Sequence, residues 1–363
     1  MVMVKIFSRP AATTAGDTPQ KGSRRPPTDQ NVIEVYDLVK RYRKAPHNAV
    51  DGITFEVRRG EIFGLLGPNG AGKTTTIGIL TTRIRPTSGG AAIMGIDVRL
   101  DPMMVKRRIA IVPQWSNLDA SLRAREILTF HASYHGVSRA EREARADLLL
   151  EELGLSQRAQ EKVERFSGGL AQRLMLARAQ MHSPDVLFLD EPTRSLDPQS
   201  RLFLWERIHT LQKQGMTIFL STHDIHEAER LCERVAIMDH GHILVLDTPT
   251  ALIKRFIPDG TRLEVTMHVP ACASPDLSLL ERLFQSLQNL PGITKAEEVS
   301  SISDESDQSE KHLFHLYTRE PAVLTGSVVQ AATALGVEIR DMHLKRPSLE
   351  DVFIHLTGRK LRS

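Results

Sequence analysis

The chain has 363 residues, 41% of them apolar and 25% charged, with a formal net charge of +3. That is enough chain for two domains, with the composition of an ordinary globular protein and a charge too balanced to point to nucleic acid. Two cysteines, Cys232 and Cys272, are too few for a disulfide framework and read as small apolar fillers in a reducing compartment. No stretch approaches the ~18 consecutive apolar residues of a membrane-spanning helix.

Residues 1–30 are rich in Pro, Gly, Ser, Thr and basic residues and lack the apolar core of a secretory signal, so they read as a disordered tail. Lys21, Arg24 and Arg25 offer it a weak surface anchor at most. Order is expected from Asn31. "NVIEVYDLVKRYRK" and "AVDGITFEVRRGEIFGLLG" alternate and carry β-branched residues, which predicts strands with turns at Asp51-Gly52 and Arg59-Gly60. After a glycine-rich segment, "SGGAAIMGIDV" predicts a turn and strand, and "RRIAIVPQW" a buried strand ending at Pro113-Gln114. From about residue 121 to 155 the apolar spacing of three and four predicts helices, with Ser138 and Glu141 placed as a capping box. "ERFSGGLAQRLMLARAQMHS" then predicts a loop and an amphipathic helix. "DVLFLDEP" is a buried strand, "PQSRLFLWERIHTLQKQG" a helix, "MTIFLSTH" a strand, "DIHEAERLCE" a helix and "RVAIMDHGHILVLD" a hairpin around His240-Gly241. Strands alternating with helices imply a largely parallel sheet covered on both faces.

Near Ile257-Pro258-Asp259-Gly260 the texture changes. The remainder predicts strand 261–269, helix 277–290, strand 293–299, an acidic Ser-rich loop 300–310, strand 312–318, helix 321–335 and strand 337–344. That is the β-α-β-β-α-β order of a ferredoxin-like unit. "SLEDVFIHLTG" predicts a closing helix.

The glycine-rich segment "GLLGPNGAGKTTTIGIL" places Gly67, Gly72, Lys73 and Thr74 on the template G-x-x-x-x-G-K-[ST], the P-loop. The apolar run before it reads as a strand and the run after it as a helix, which is the context the motif requires. Glycines let successive N–H groups face one anion, and the helix N-terminus adds its positive end at the same place. Lys73 supplies a mobile charge for β- and γ-phosphates, and the Thr74 hydroxyl is a Mg²⁺ ligand.

Four further features narrow the chemistry. Val186 to Pro192, "VLFLDEP", ends a buried strand in two carboxylates. At the carboxyl end of such a strand Asp190 is placed to hold Mg²⁺, and Glu191 to orient or deprotonate a water. Taken alone, the pair also fits solvated acids at a strand end. "FSGGLAQR" repeats the loop-to-helix logic without a lysine, so Ser167, Gly168 and Gly169 offer a second anion cradle; in isolation the tripeptide equally fits an ordinary serine cap. Gln114 ends "IAIVPQ" where it could reach Mg²⁺ or the attacking water, or be a surface glutamine. His223 ends "TIFLSTH" where it could bond a γ-phosphate oxygen, or be a capping or core histidine.

In this order these residues resemble the ATP-binding subunit of an ABC transporter, over about residues 32–252. The resemblance implies an α/β P-loop ATPase domain at 31–257, with a parallel core sheet, an antiparallel N-terminal β region and a helical subdomain at about 116–180. A small α+β ferredoxin-like accessory domain would occupy 258–363. It implies that Gly67, Pro68, Asn69, Gly70, Ala71, Gly72, Lys73, Thr74 and Thr75 form the phosphate loop, with Tyr42 stacking on adenine. Gln114 matches the Q-loop glutamine, which senses Mg²⁺ and faces the membrane partner. Ser167, Gly168 and Gly169 match the signature, Asp190 the metal-site acid, Glu191 the catalytic base, Asp197 the D-loop and His223 the switch histidine. The Mg²⁺ ligands by this resemblance are Thr74, Gln114 and Asp190. Phe166 stands where leucine is usual, and Arg194-Ser195 where smaller residues are common, which bears on D-loop geometry.

The implied partners are integral membrane permease subunits and a second ATP-binding subunit, with no nucleic acid, and the implied place is the cytoplasmic face of the cell membrane. The C-terminal "RPSLEDVFIHLTG" resembles subunits of the daunorubicin-resistance type, which favours export of a drug, lipid or polysaccharide-like cargo. A soluble ABC ATPase acting on ribosomes or DNA, and an importer ATPase, are the alternatives. A single ATP-binding module without sustained heptads or a basic stripe argues against the soluble class.

Overall fold

The computed structural model describes residues 30–258, 260–270, 277–303, 309–318 and 321–358. All but the last residue of the tail expected at 1–30 lies outside them, as does the centre of the expected Ser-rich loop.

Two sheets carry the first part of the chain. The N-terminal sheet is antiparallel, with β1 (Asn31–Lys40) between β2 (Val50–Arg58) and β4 (Ser88–Ile93), and β5 (Ile96–Asp97) beyond β4. The second sheet contains β3 (Ile62–Leu66), β6 (Ile109–Val112), β7 (Val186–Asp190), β8 (Thr217–Thr222), β9 (Arg234–Asp239) and β10 (His242–Asp247) in the order β10-β9-β3-β8-β7-β6. It is parallel except for the β9–β10 hairpin at one edge. β3, β7 and β8 are buried at every position, as expected of parallel strands covered on both faces.

Alternation along these strands sorts the core into two layers. Phe63, Leu65, Phe188 and Phe219 pack toward the N-terminal sheet, where the Phe55 and Phe63 rings stack at 5.4 Å and Phe63 and Phe219 at 5.5 Å. On that side lie α1 (Lys73–Leu80) and α2 (Pro102–Arg108), through Ile77, Ile79, Leu80 and Val105. Ile62, Leu66, Leu187, Leu189, Ile218 and Leu220 face the other layer. Its helices are α3 (Ala124–Tyr134), α4 (Arg139–Glu152), α5 (Gly168–Gln180), α6 (Pro198–Lys213), α7 (Ile225–Leu231) and α8 (Pro249–Phe256). Ser138 caps α4 by accepting from the Glu141 N–H.

The turn expected at Asp51-Gly52 is not there. Both residues lie inside β2, where Lys40 pairs with Val50 but Leu38 with Ile53, so one extra residue forms a bulge. The chain reverses earlier, over residues 41–49. The Arg59-Gly60 turn is as expected.

Beyond residue 260 the order is β11 (Thr261–Pro270), α9 (Leu277–Gln288), β12 (Ile293–Ser303), β13 (Ser309–Thr318), α10 (Pro321–Ala334) and β14 (Glu338–Lys345). The strands form an antiparallel sheet β12-β13-β11-β14, the ferredoxin-like arrangement, around a core that includes Leu263, Val265, Leu283, Phe314, Leu316 and Val328. β12 and β13 run further into the Ser-rich segment than the sequence predicts, because each continues its cross-strand pairing to Ser303 and Glu310.

The last helix, α11 (Leu349–Thr357), joins a different core. Leu349, Val352 and Phe353 are fully buried in the cluster that holds Leu252 of α8 and Leu231 of α7. The Leu349 N–H donates to Glu229 Oε1 at 2.6 Å. Phe353→Ala is expected to destabilise the protein by ~3–5 kcal/mol, the usual cost of emptying a buried phenylalanine site. Urea unfolding checks this, and an unchanged midpoint would mean that α11 does not contribute to this core.

Candidate active site

The glycine-rich loop joins β3 to α1. Gly67 is at the end of the strand, with its N–H on the Thr222 carbonyl at 3.2 Å. A Cβ at Gly67 would lie 2.1 Å from the Met238 carbonyl, so only glycine fits. Gly72, at φ 109°, turns the chain into α1, and a Cβ there would meet the Ala49 carbonyl at 2.3 Å. As N-cap, Gly72 brings no side chain to the first turn of α1, which leaves N–H groups facing outward beside exposed Asn69, Gly70 and Thr74. Ala71 is buried, and its carbonyl accepts from Gly241.

Lys73 is buried and folded back over the loop. Its Nζ donates to the Gly67 and Pro68 carbonyls at 2.7 and 3.0 Å and lies 3.6 Å from Glu191 Oε1. Burial lowers its pKa, against the pull of the Glu191 charge. This is a cation kept among carbonyl oxygens at the mouth of an anion cradle, a donor set that fits a polyphosphate.

The two carboxylates at the end of β7 part company. Asp190 Oδ1 accepts from Ser221 Oγ at 2.5 Å and from Thr74 Oγ1 at 3.4 Å. Burial pushes its carboxyl up, against the hydrogen bond from Ser221. Glu191 has a left-handed backbone, φ 48°, and its carboxylate gathers four partners. Gln114 Nε2 donates to Oε2 at 2.8 Å, Arg194 donates to Oε2 at 3.3 Å, His223 Nδ1 lies 3.2 Å from Oε1, and Lys73 completes the set. Burial alone would raise the Glu191 pKa; the contact with His223 and the charges of Lys73 and Arg194 outweigh it and hold the carboxyl at about 2. Thr74, Asp190 and Gln114 together offer hydroxyl, carboxylate and amide oxygens, the hard donors that suit Mg²⁺.

Tyr42 is at the rim, half-exposed, with its hydroxyl 3.3 Å from Thr75 Oγ1 and the Lys40 ammonium 5.1 Å over its ring. The sequence-nominated residues therefore fall into two groups. Gly67 to Thr75, Gln114, Asp190, Glu191 and His223 converge, with Tyr42 beside them. Ser167, Gly168, Gly169 and Asp197 make the second group. Ser167 is an exposed N-cap of α5, accepting from Leu170 N–H at 3.4 Å. A Cβ on Gly169 would lie 2.5 Å from Ser200 Oγ, and Ser200 is bonded through Oγ and N–H to Asp197, the N-cap of α6, at 2.6 and 2.9 Å.

Three participants escaped the sequence reading. Ser221 precedes the nominated histidine by two positions, and its place in "FLSTH" at the end of an apolar strand was the available signal. Arg194 stood out only as a departure from a pattern, yet it binds Glu191 and lies 5.1 Å over the Trp115 ring. Glu227 looked like an ordinary helical acid. It is fully buried, accepts from Trp205 Nε1 at 3.1 Å, and burial pushes its carboxyl up. With Glu191, Thr193, Arg194 and His223 it lines a cleft of about 100 Å³.

Residues 50–194 match the family model described as ABC transporter. The Nod factor export ATP-binding protein I of Ralstonia nicotianae is 37% identical over 91% of this chain and 95% of its own length. The linearmycin resistance ATP-binding protein of Bacillus subtilis is 34% identical over 91% and 100%, and a daunorubicin resistance ATP-binding protein of Streptomyces coeruleorubidus 34% over 90% and 96%. Among solved structures, an ATP-binding subunit of an ABC transporter superposes with a TM-score of 0.57 at 34% identity, covering 62% of this chain and 93% of that one. A dimeric ATP-binding cassette in a post-hydrolysis state with ADP and Pi gives 0.56 at 26% identity, covering 60% and 98%. With relatives this similar along nearly their whole length, the chain belongs to the ATP-binding, ATP-hydrolysing subunits of ABC transporters, in the branch that serves export.

Proposed function

We propose that this chain hydrolyses ATP in a site shared between two ATP-binding subunits and thereby powers export through separate membrane subunits, at the cytoplasmic face of the membrane. No helix among the described residues is long and apolar enough to cross a membrane, so the pathway belongs to other chains in this reading. The relatives named for Nod factor export and for linearmycin and daunorubicin resistance support a drug, lipid or polysaccharide-like cargo.

The observation that carries the proposal is the division of the nominated residues into two groups. In the first, the loop from Gly67 to Thr75 holds the phosphates with its N–H groups, Lys73 meets the β- and γ-phosphates, and Tyr42 stacks on the adenine. Thr74, Asp190 and Gln114 would hold Mg²⁺; the Gln114 nitrogen is committed to Glu191, which leaves its carbonyl oxygen as the ligand atom. Bound there, Mg²⁺ would neutralise charge on the phosphate oxygens. Glu191 takes a proton from the attacking water, and His223 orients the γ-phosphate side of the site.

Lys73 has a double duty in this scheme. A phosphate that takes its charge removes one of the cations holding the Glu191 carboxyl at about 2, so substrate binding raises the basicity of Glu191 where a base is required. The second group, Ser167 to Gly169 with Asp197, has N–H groups and a helix dipole but no lysine. A dipole end contributes about 0.3–1 kcal/mol when exposed, too little to hold an anion by itself. It suits a phosphate already bound by the first group of another subunit.

Lys73→Ala is expected to abolish ATP turnover and weaken nucleotide binding. Near-normal phosphate release by the purified variant would overturn the loop's assignment. Glu191→Gln retains the size of the side chain but not the base, and should lower turnover by ~10²–10⁴-fold. It should also accumulate an ATP-bound dimer in light scattering with Mg-ATP. Adding Ser167→Arg should return that variant to monomer, because the bulky side chain fills the second cradle. Equal dimerisation of the double variant would rule out the shared site.

A further inference from the structure

A cluster of three histidines lies away from the nucleotide site, in the helical layer. His131 lies in the last turn of α3, and His135, four positions on, is the residue that caps its C-terminus. His182 follows α5 in the turn toward β7. One ring nitrogen from each can be chosen so that all three lie within 4.8 Å of one another. The His135 and His182 rings are 3.7 Å apart, and His131 is 4.8 Å from His135 and 5.6 Å from His182. We propose that His131, His135 and His182 form a binding site for a late first-row transition-metal dication, of which Zn²⁺ is the reference.

The strongest support is the state of His182. Its Nε2 lies 2.9 Å from the Ile109 carbonyl oxygen. A carbonyl only accepts, so Nε2 carries the proton and Nδ1 carries a lone pair. That Nδ1 is buried and has no hydrogen-bond partner among the described residues. Anchoring one ring N–H on a backbone carbonyl while the other nitrogen faces inward is how metal-binding histidines are oriented. An acceptor left in this state beside two more imidazoles is a lone pair available to an ion. Burial, with the neighbouring histidines and Arg178, holds His131 at about 3, and burial is also the main cause that holds His182 at about 4. Both are thus in the neutral form a metal requires.

Access and charge define the class of ion. His135 is exposed, so an ion can enter from solvent. Metal–nitrogen bonds of about 2.0–2.1 Å require the three nitrogens to draw together, which side-chain rotation out of the His135–His182 stack provides. The cluster contains no carboxylate. Two arginines stand near it: Arg178, whose guanidinium is held by Asn117 Oδ1 at 2.5 Å, and Arg145, which is bonded to Ser183. Their charge opposes any dication, so affinity must come from imidazole bonding. That selects Zn²⁺, Cu²⁺ or Ni²⁺ and rejects Mg²⁺ and Ca²⁺. A bound ion would tie α3 to the α5–β7 turn and, through Ile109, to β6, the strand that leads to Gln114.

The test uses the full chain, stripped with chelator and free of nucleotide. Calorimetric titration with Zn²⁺ should give one micromolar equivalent, and Co²⁺ should give a visible absorption band of nitrogen ligation that millimolar Mg²⁺ does not displace. His135→Gln, at an exposed position, should fold as the wild type by circular dichroism and weaken Zn²⁺ at least about tenfold. His182→Gln should remove the Co²⁺ band, and His343→Gln, at an exposed position on β14, should alter neither. Absence of a saturable equivalent in the wild type, unchanged affinity in His135→Gln, or displacement by Mg²⁺ would each overturn the proposal; if His182→Gln does not fold, His135→Gln decides alone.

Discussion

The buried carboxylate of Glu191 is the point on which the site is assembled. Three segments far apart in sequence reach it, the phosphate loop through Lys73, the end of β6 through Gln114 and the end of β8 through His223, and its own following loop adds Arg194. The parallel sheet brings this about. β3, β6, β7 and β8 run in one direction, with Leu66 level with Thr222, Val112 with Leu189 and Asp190 with Ser221. Their loops therefore leave at one edge, where α/β sheets bind ligands. The register depends in turn on the aromatic layer of Phe55, Phe63, Phe188 and Phe219, since a slip of one residue would exchange the two core layers.

A buried charge cluster of this kind is weak as a source of stability. Desolvating two ions costs about as much as their attraction returns. What it provides is a defined starting arrangement with a cation in excess around one carboxylate. Arg194 matters here because it occupies the oxygen that Gln114 also bonds, and its guanidinium lies over Trp115, the neighbour of Gln114 in sequence. In the proposed reaction, Glu191 can act as a base only when part of this cation set is drawn off. The phosphate is the group with the charge to do so.

Much of this was legible in the sequence where the physics is local. "VLFLDEP" and "TIFLST" show unbroken apolar runs because both faces of β7 and β8 are covered, and the loop from Gly67 to Thr74 is written in glycines that close backbone approaches require. The β-α-β-β-α-β order beyond residue 260 was likewise readable from alternation and turns. Where tertiary contacts decide, the sequence misled or was silent. Asp51-Gly52 carries turn chemistry, but pairing with β1 absorbs it as a bulge. The apolar face of α11 showed that it packs, without showing that it packs on α7 and α8. Arg194 and Ser221 act through partners on other strands. The three histidines meet only because α3 and the end of α5 are neighbours in space, and no motif spans His131 and His182.

The two groups of site residues are joined by one short stretch of chain. Residues 191–197 lead from the carboxylate hub to Asp197, which fixes Ser200 against Gly169 and so locates the second cradle. Two non-glycine residues in that stretch, Glu191 at φ 48° and Ser195 at φ 59°, hold left-handed backbones that cost about 1–3 kcal/mol each. Strain of that kind persists only where surrounding contacts enforce it, and in the proposed reaction the contacts on Glu191 are the ones a phosphate rearranges. A change in the partners of Glu191 therefore acts on a segment already under tension, whose other end, at Asp197, holds Ser200 beside Gly169. In the shared-site scheme this stretch of chain is what joins the occupancy of the phosphate loop to the cradle presented to a second subunit.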